Sequence, residues 1–151
     1  RQSGLPICLM HMQGQPKTMQ HTPGYNDVVG EVIDYLSGRA AACVAEGIDR
    51  SLLLVDPGFG FGKTLQHNLA LLNRLQTIVA LGYPVLVGLS RKSLIGEVLG
   101  RDVSQRLAGS LALAVLAAER GASIIRVHDV AETVDAIKLC EAVARAQMPQ
   151  D

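Results

Sequence analysis

The sequence lacks most of what would tie it to nucleic acid, membrane or metal. Its 14 basic and 14 acidic residues leave no formal net charge, which argues against a nucleic-acid binder or a polybasic membrane segment. No apolar run approaches the length of a transmembrane helix, and no signal-like stretch opens the sequence. Cysteine is scarce. Cys8, Cys43 and Cys140 are odd in number and far apart, so they are expected to be reduced, partly buried small hydrophobes in a cytoplasmic protein. The four histidines stand at no metal-ligand spacing from each other or from cysteine. There is no low-complexity segment and no strong internal repeat. The residues that remain are those of a globular protein. The 151 residues are 48% hydrophobic and 19% charged, enough for one domain with its own core. The first residue is Arg1 rather than Met, and an apolar run follows within a few residues. A cut through a longer protein is expected.

Apolar runs at 6–10, 52–55, 84–88 and 123–127 read as buried strands. Between them lie helical patterns. One spans 27–46, with Val28, Val32, Tyr35 and Leu36 at helical spacing, Gly38 inside it and Gly47 at its end. A second spans 65–81 with Gly82 after it, and a short helix follows Ser90. A third spans 104–120 from a Ser104 N-cap to Gly121, and the last spans 131–146, with Asp129 and Glu132 spaced as a variant capping box. Four strand-then-helix units imply a parallel sheet with helical crossovers, an α/β fold.

Polar residues gather just past each strand: His11; Asp56; Ser90, Arg91, Lys92 and Ser93; Arg126, His128 and Asp129. In parallel α/β folds, and above all in (β/α)₈ barrels, chemistry sits at those carboxyl ends. Helix capping alone would account for Asp129 and Ser90 but poorly for Lys92 and Arg126.

The most distinctive stretch is 52–63, LLLVDPGFGFGK. A strand delivers Asp56, and Pro57 keeps that residue extended. Gly58, Gly60 and Gly62 then alternate with Phe59 and Phe61, a backbone able to approach a ligand closely. It is not a P-loop, because Pro57 stands where the first glycine of the motif belongs, and it is not the G-x-G-x-x-G of a dinucleotide site. The competing possibility is an ordinary strand-to-helix loop whose aspartate caps the next helix. Asp56 can accept two parallel hydrogen bonds from an amidine-like edge, such as a 2-amino-4-oxo heterocycle presents. Lys92 can meet the oxo group. The Ser90–Ser93 run can hold a carboxylate or phosphate at a helix start, or simply be a solvated helix start. Arg126 and His128, two apart on a strand, share a face and suit an anion; the alternative is a structural salt bridge from Arg126. The residues alone imply a barrel-like site for an aminated heterocycle and an anion.

The segments LMHMQGQPKTMQ (9–20), LLLVDPGFGFGK (52–63), VGLSRKSLIGEVL (87–99), RLAGSLALAVLAAERGA (106–122) and IIRVHDVAETVDAI (124–137) together resemble the dihydropteroate synthases, folate-pathway transferases inhibited by sulfonamides. The resemblance covers essentially the whole chain. It implies a (β/α)₈ TIM barrel of which residues 1–151 form the C-terminal half, strands five to eight with outer helices, as a pterin-binding domain without its N-terminal half. The reaction implied joins 6-hydroxymethyl-7,8-dihydropterin diphosphate to p-aminobenzoate, by departure of diphosphate and attack of the amine on a pterin cation. By resemblance, Asp56 binds the pterin amino edge, Lys92 its oxo side, and Met10 packs on the ring. Phe61 and Ser93 hold p-aminobenzoate, Arg126 and His128 hold the diphosphate, and Gly60 and Gly88 allow close approach; Ser90 belongs to the same site. Lys92, Arg126 and His128 are the expected catalytic groups. Mg²⁺ is the implied cofactor, but no metal ligand is expected in this half, because the relevant Asn has no counterpart in these residues. A further pterin-binding Asp and Asn and two mobile loops are also missing, so the chain alone is expected to be inactive. The intact enzyme is expected to be a homodimer with no nucleic-acid or membrane partner. Two other possibilities stand beside this one: the pterin-binding domain of a corrinoid-dependent methyltransferase, and a non-catalytic truncated product.

Overall fold

The structure, a computed structural model, describes residues 4–146. Four short strands alternate with helices: β1 (Ile7–Met10), α1 (Val28–Ala45), β2 (Leu53–Asp56), α2 (Leu65–Asn73), α3 (Leu75–Val79), β3 (Leu86–Val87), α4 (Ser93–Leu99), α5 (Leu107–Glu119), β4 (Ile124–Ile125) and α6 (Val130–Arg145). Single 3₁₀ turns precede β2 at Arg50–Leu52 and α5 at Val103–Gln105.

All pairing is parallel. Ile7 to Met10 of β1 lie against Leu53 to Asp56 of β2, and Leu86 and Val87 of β3 lie against Ile124 and Ile125 of β4. A bridge between Val55 and Val85 joins the two pairs into one arc ordered as the chain runs. The arc is open: it is the partial barrel expected, and among the described residues no strand pairs with the outer edge of β1 or of β4.

One face of the arc carries the core. Val55, Val85 and Val87 pack with Val28, Val29, Val32 and Leu36 of α1, with Leu71, Leu72, Leu75 and Ile78 of α2 and α3, and with Phe59 from the loop after β2. The alternation of strand side chains turns Cys8, Leu54, Leu86 and Ile124 to the other face, where each is half-buried or exposed. Cys8 is therefore exposed, not partly buried as expected; its neighbours in a closed barrel would come from across the barrel axis.

Other expectations also gave way. The helix expected over 65–81 is two helices, because the Arg74 carbonyl is taken by the Thr77 amide at 3.0 Å and the Thr77 hydroxyl at 2.7 Å. Ser104 lies in the 3₁₀ turn and caps nothing; α5 starts after Arg106, whose guanidinium donates to the carbonyls of Arg101 (3.1 Å) and Arg91 (3.0 Å). Asp129 makes no side-chain cap for α6, since its carboxylate is drawn to Arg91. Gly47 does end α1, in the left-handed region at φ 81°, and the Ile48 amide closes back on the Cys43 carbonyl at 3.1 Å.

Candidate active site

The four strand ends bring the polar residues to one rim. Met10 closes β1 in register with Asp56, the last residue of β2. Asp56 is 5% exposed and accepts the Gly58 amide at 2.7 Å. Burial pushes its carboxyl above the usual range, against the pull of that amide and of Lys92, Arg126 and Lys63. It does not cap the next helix. Thr64 does that, its hydroxyl accepting the His67 amide at 3.2 Å while the Thr64 amide donates to the His67 ring at 3.2 Å. The carboxylate makes no ion pair among the described residues.

The glycine loop takes its shape from close backbone contact. Gly58 and Gly62 have φ of 69° and 64°, and a Cβ on them would fall 1.8 Å from the His11 carbonyl oxygen and 2.3 Å from that of Gln13, so no larger residue fits. Phe59 points into the core at 1% exposure and Phe61 stays half-buried. The Gly60 amide donates to Asn68 Oδ1 at 2.7 Å, the Tyr25 hydroxyl donates to the Gly62 carbonyl at 2.8 Å, and the Gln20 amide reaches the Gly60 carbonyl.

Lys92 comes in from the β3 end. Its ammonium donates to the Phe59 carbonyl and lies 4.7 Å from the centre of the Phe61 ring. Burial pushes it down to about 8, with Asp56 opposing the shift and Arg126 adding to it. Arg91, at φ 57°, is the one non-glycine residue described with positive φ. Its guanidinium grips the Asp129 carboxylate, Nε to Oδ2 at 3.1 Å and Nη2 to Oδ1, and its amide donates to Ser110 Oγ at 2.9 Å. The ion pair joins the β3 and β4 loops. Ser90 does the same at shorter range: its Oγ accepts the His128 amide at 3.2 Å and stands 3.0 Å from His128 Nδ1.

Gly88, Ser90, Lys92, Arg126, Val127 and His128 line a cavity of about 360 Å³. Arg126 and His128 lie just past β4 and not within it, as the strand ends at Ile125. Arg126 makes no ion pair among the described residues. Its guanidinium lies against Gly88, where a Cβ would come 3.0 Å from Nη2. The structural salt bridge considered for Arg126 is therefore not formed. Ser93 opens α4, is exposed and does not line this cavity. Met10, Asp56, Gly60 and Phe61 sit on the neighbouring side of the rim, linked to the cavity through Lys92.

The sequence reading passed over Lys63 and Asn68. Lys63 is 4% exposed and Asn68 also 4%. The signal for Lys63 was a lone cation inside an otherwise apolar glycine loop. Asn68, in the middle of a helix, gave none.

The profile of a family described as pterin binding enzyme matches residues 1–128. The chain belongs to the pterin-binding enzyme family. The dihydropteroate synthase of Escherichia coli (strain K12) is 56% identical over 146 residues, 97% of this chain and 52% of that protein. That of Haemophilus influenzae is 53% identical over 142 residues, 94% of this chain and 52% of that protein. The chain spans about half the length of the curated relatives it matches. Among solved structures, the Yersinia pestis dihydropteroate synthase in complex with a sulfonamide drug aligns with a TM-score of 0.92 at 52% identity, covering 95% of this chain and 53% of that one. The Xanthomonas albilineans dihydropteroate synthase in complex with 7,8-dihydropteroate aligns with a TM-score of 0.88 at 49% identity, covering 95% and 52%. The open arc is thus a partial TIM barrel.

Proposed function

We propose that the rim is part of the active site of a dihydropteroate synthase, a transferase of folate biosynthesis. The observation that supports this best is the buried Asp56 at the end of β2, on the same rim as a cavity lined by Lys92, Arg126 and His128. A carboxylate there accepts two hydrogen bonds from the 2-amino edge of a pterin, and Lys92 donates to its oxo side. Met10, registered beside Asp56, packs on the ring, and Gly60 and Gly88 leave room for backbone and guanidinium to come close. Phe61 and Ser93 hold p-aminobenzoate. Arg126, His128 and Ser90 line the anion cavity and hold the diphosphate.

In that reaction the bond from the pterin methylene to the diphosphate oxygen breaks, and the amine nitrogen bonds to the methylene and gives up a proton. Negative charge builds on the leaving diphosphate, where fixed cations lower the barrier most. Related proteins have been solved with 7,8-dihydropteroate and with 4-aminobenzoic acid, which agrees with these substrate classes. The related enzymes reported above are all dihydropteroate synthases, which favours the synthase over a corrinoid methyltransferase domain. A homodimer and a cytoplasmic setting belong to the same proposal; no helix among the described residues is long and apolar enough to cross a membrane.

Among the described residues no three or more His, Cys, Asp or Glu side chains come together to hold a metal ion. These residues do not by themselves fit Mg²⁺.

The test is Asp56→Ala in the full-length protein that carries this sequence. Losing charge-assisted hydrogen bonds worth about 1.5–3 kcal/mol should weaken binding of a pterin analogue roughly 10- to 100-fold by calorimetry. Unchanged affinity would remove Asp56 from the site.

A further inference from the structure

Lys63 carries a buried ammonium that no carboxylate pairs with among the described residues. Its Nζ donates to the carbonyls of Gly58 at 2.9 Å and Phe61 at 3.1 Å, and stands 2.9 Å from His11 Nδ1. Those contacts use every N–H that an ammonium has. Burying a cation on neutral acceptors is costly, and an apolar side chain of the same length would avoid the cost.

What the ammonium holds is one turn. The Phe61 amide donates to the Gly58 carbonyl at 3.1 Å, so Gly58 and Phe61 are the two ends of a tight turn with Phe59 and Gly60 between. Lys63 closes the neck of that turn by taking both end carbonyls. Its third contact reaches another strand end. His11 follows Met10, and its amide donates to the Asp56 carbonyl at 3.0 Å. The His11 ring is itself fixed, edge-on to Tyr35 at 5.0 Å and tilted to Tyr25 at 6.0 Å.

Protonation suits the arrangement. Burial and the charge of Lys63 push His11 down to about 4, and burial pushes Lys63 down to about 8 against the pull of Asp56. At neutral pH Lys63 is the donor, and His11 is neutral with its proton on Nε2.

We propose that Lys63 is a positioning residue: with His11 as acceptor, it fixes the Gly58–Phe61 turn so that Gly60 and Phe61 face the aminobenzoate ligand, and it touches no ligand itself. The ligand named here rests on the function proposed above. The turn and its latch do not.

Two variants test the latch. Lys63→Met keeps most of the side-chain length and removes the donors. His11→Phe keeps a ring between Tyr25 and Tyr35 and removes the acceptor. In the ¹⁵N-labelled full-length protein that carries this sequence, hydrogen exchange at the Gly60 and Phe61 amides is expected to speed at least about tenfold in either variant, with Val32 and Leu36 of α1 unchanged. Unchanged exchange at Gly60 and Phe61 overturns the proposal. So does equal acceleration in α1, which would make Lys63 a general stabiliser. If Lys63→Met fails to fold, His11→Phe decides alone. Calorimetry supplies the second readout. Affinity for p-aminobenzoate, measured with pterin and diphosphate present, is expected to fall at least about tenfold, and affinity for the pterin to stay within about threefold. A parallel loss of both ligands also overturns the positioning role. Wild-type protein that binds no pterin would count against the proposed function, while the exchange result still decides the role of Lys63.

Discussion

Lys92 and Phe61 meet across the rim, with the ammonium 4.7 Å from the ring centre and one of its N–H groups hydrogen-bonded to the Phe59 carbonyl. One side chain therefore ties the β3 end to the loop after β2. The ammonium keeps further N–H groups for a ligand oxo group, so the Phe59 carbonyl holds the lysine in place before the ligand arrives.

The ring should be felt in the titration of Lys92. A cation–π contact of about 0.5–1 kcal/mol favours the ammonium, so Phe61→Leu should lower the Lys92 pKa below about 8 by less than about one unit. NMR titration of the labelled lysine side chains checks this. A rise would mean that the ring mainly desolvates Lys92.

Arg126 should not tolerate lysine. A point charge in place of a bidentate fork is expected to weaken diphosphate binding roughly tenfold or more, while binding of a pterin without phosphates hardly changes. Calorimetry with the two ligands separates the effects. Equal loss of both would make Arg126 structural.

Anion binding should depend on pH in the alkaline range. Burial pushes Lys92 down to about 8. It is charged below that pH and loses its proton above it. Diphosphate favours the charged form, so its affinity should decline above about pH 8, by at most tenfold per pH unit for one proton. Lys92→Met should flatten the decline. A decline that persists in this variant would point to another group.

For the 151-residue polypeptide by itself, the open arc sets the expectation. The outer edges of β1 and β4 lack strand partners among the described residues, and Ile124 on the open face is 43% exposed. At about 25 cal/mol per Å², several hundred Å² of apolar surface left in water costs on the order of 10 kcal/mol. That rivals the stability of a domain. The polypeptide should be marginally stable or self-associated, and should form no dihydropteroate. Light scattering and a product assay, with and without a separately expressed N-terminal half, check both statements. Turnover by this polypeptide alone would show that groups outside it are dispensable.

The sequence by itself determined the order of elements, the parallel arc and the residues at its rim. Those follow from local signals: apolar runs of strand length, helical spacing, glycine at helix ends, and polar residues gathered after each strand. Asp56, Lys92, Arg126 and His128 were legible because apolar strands deliver them to one end of the sheet. What tertiary structure decided is where local signals compete with distant partners. Ser104 and Asp129 both look like helix caps in sequence; Asp129 instead pairs with Arg91, 38 positions away, and α5 starts where Arg106 is anchored. Lys63 and Asn68 could not be read as loop-holders from sequence. Their acceptors and donors are mostly backbone groups of a turn whose shape depends on His11 and Gln13, and those come from another strand end. Backbone carbonyls are the same in every residue, so a side chain that binds them leaves no pattern in the sequence.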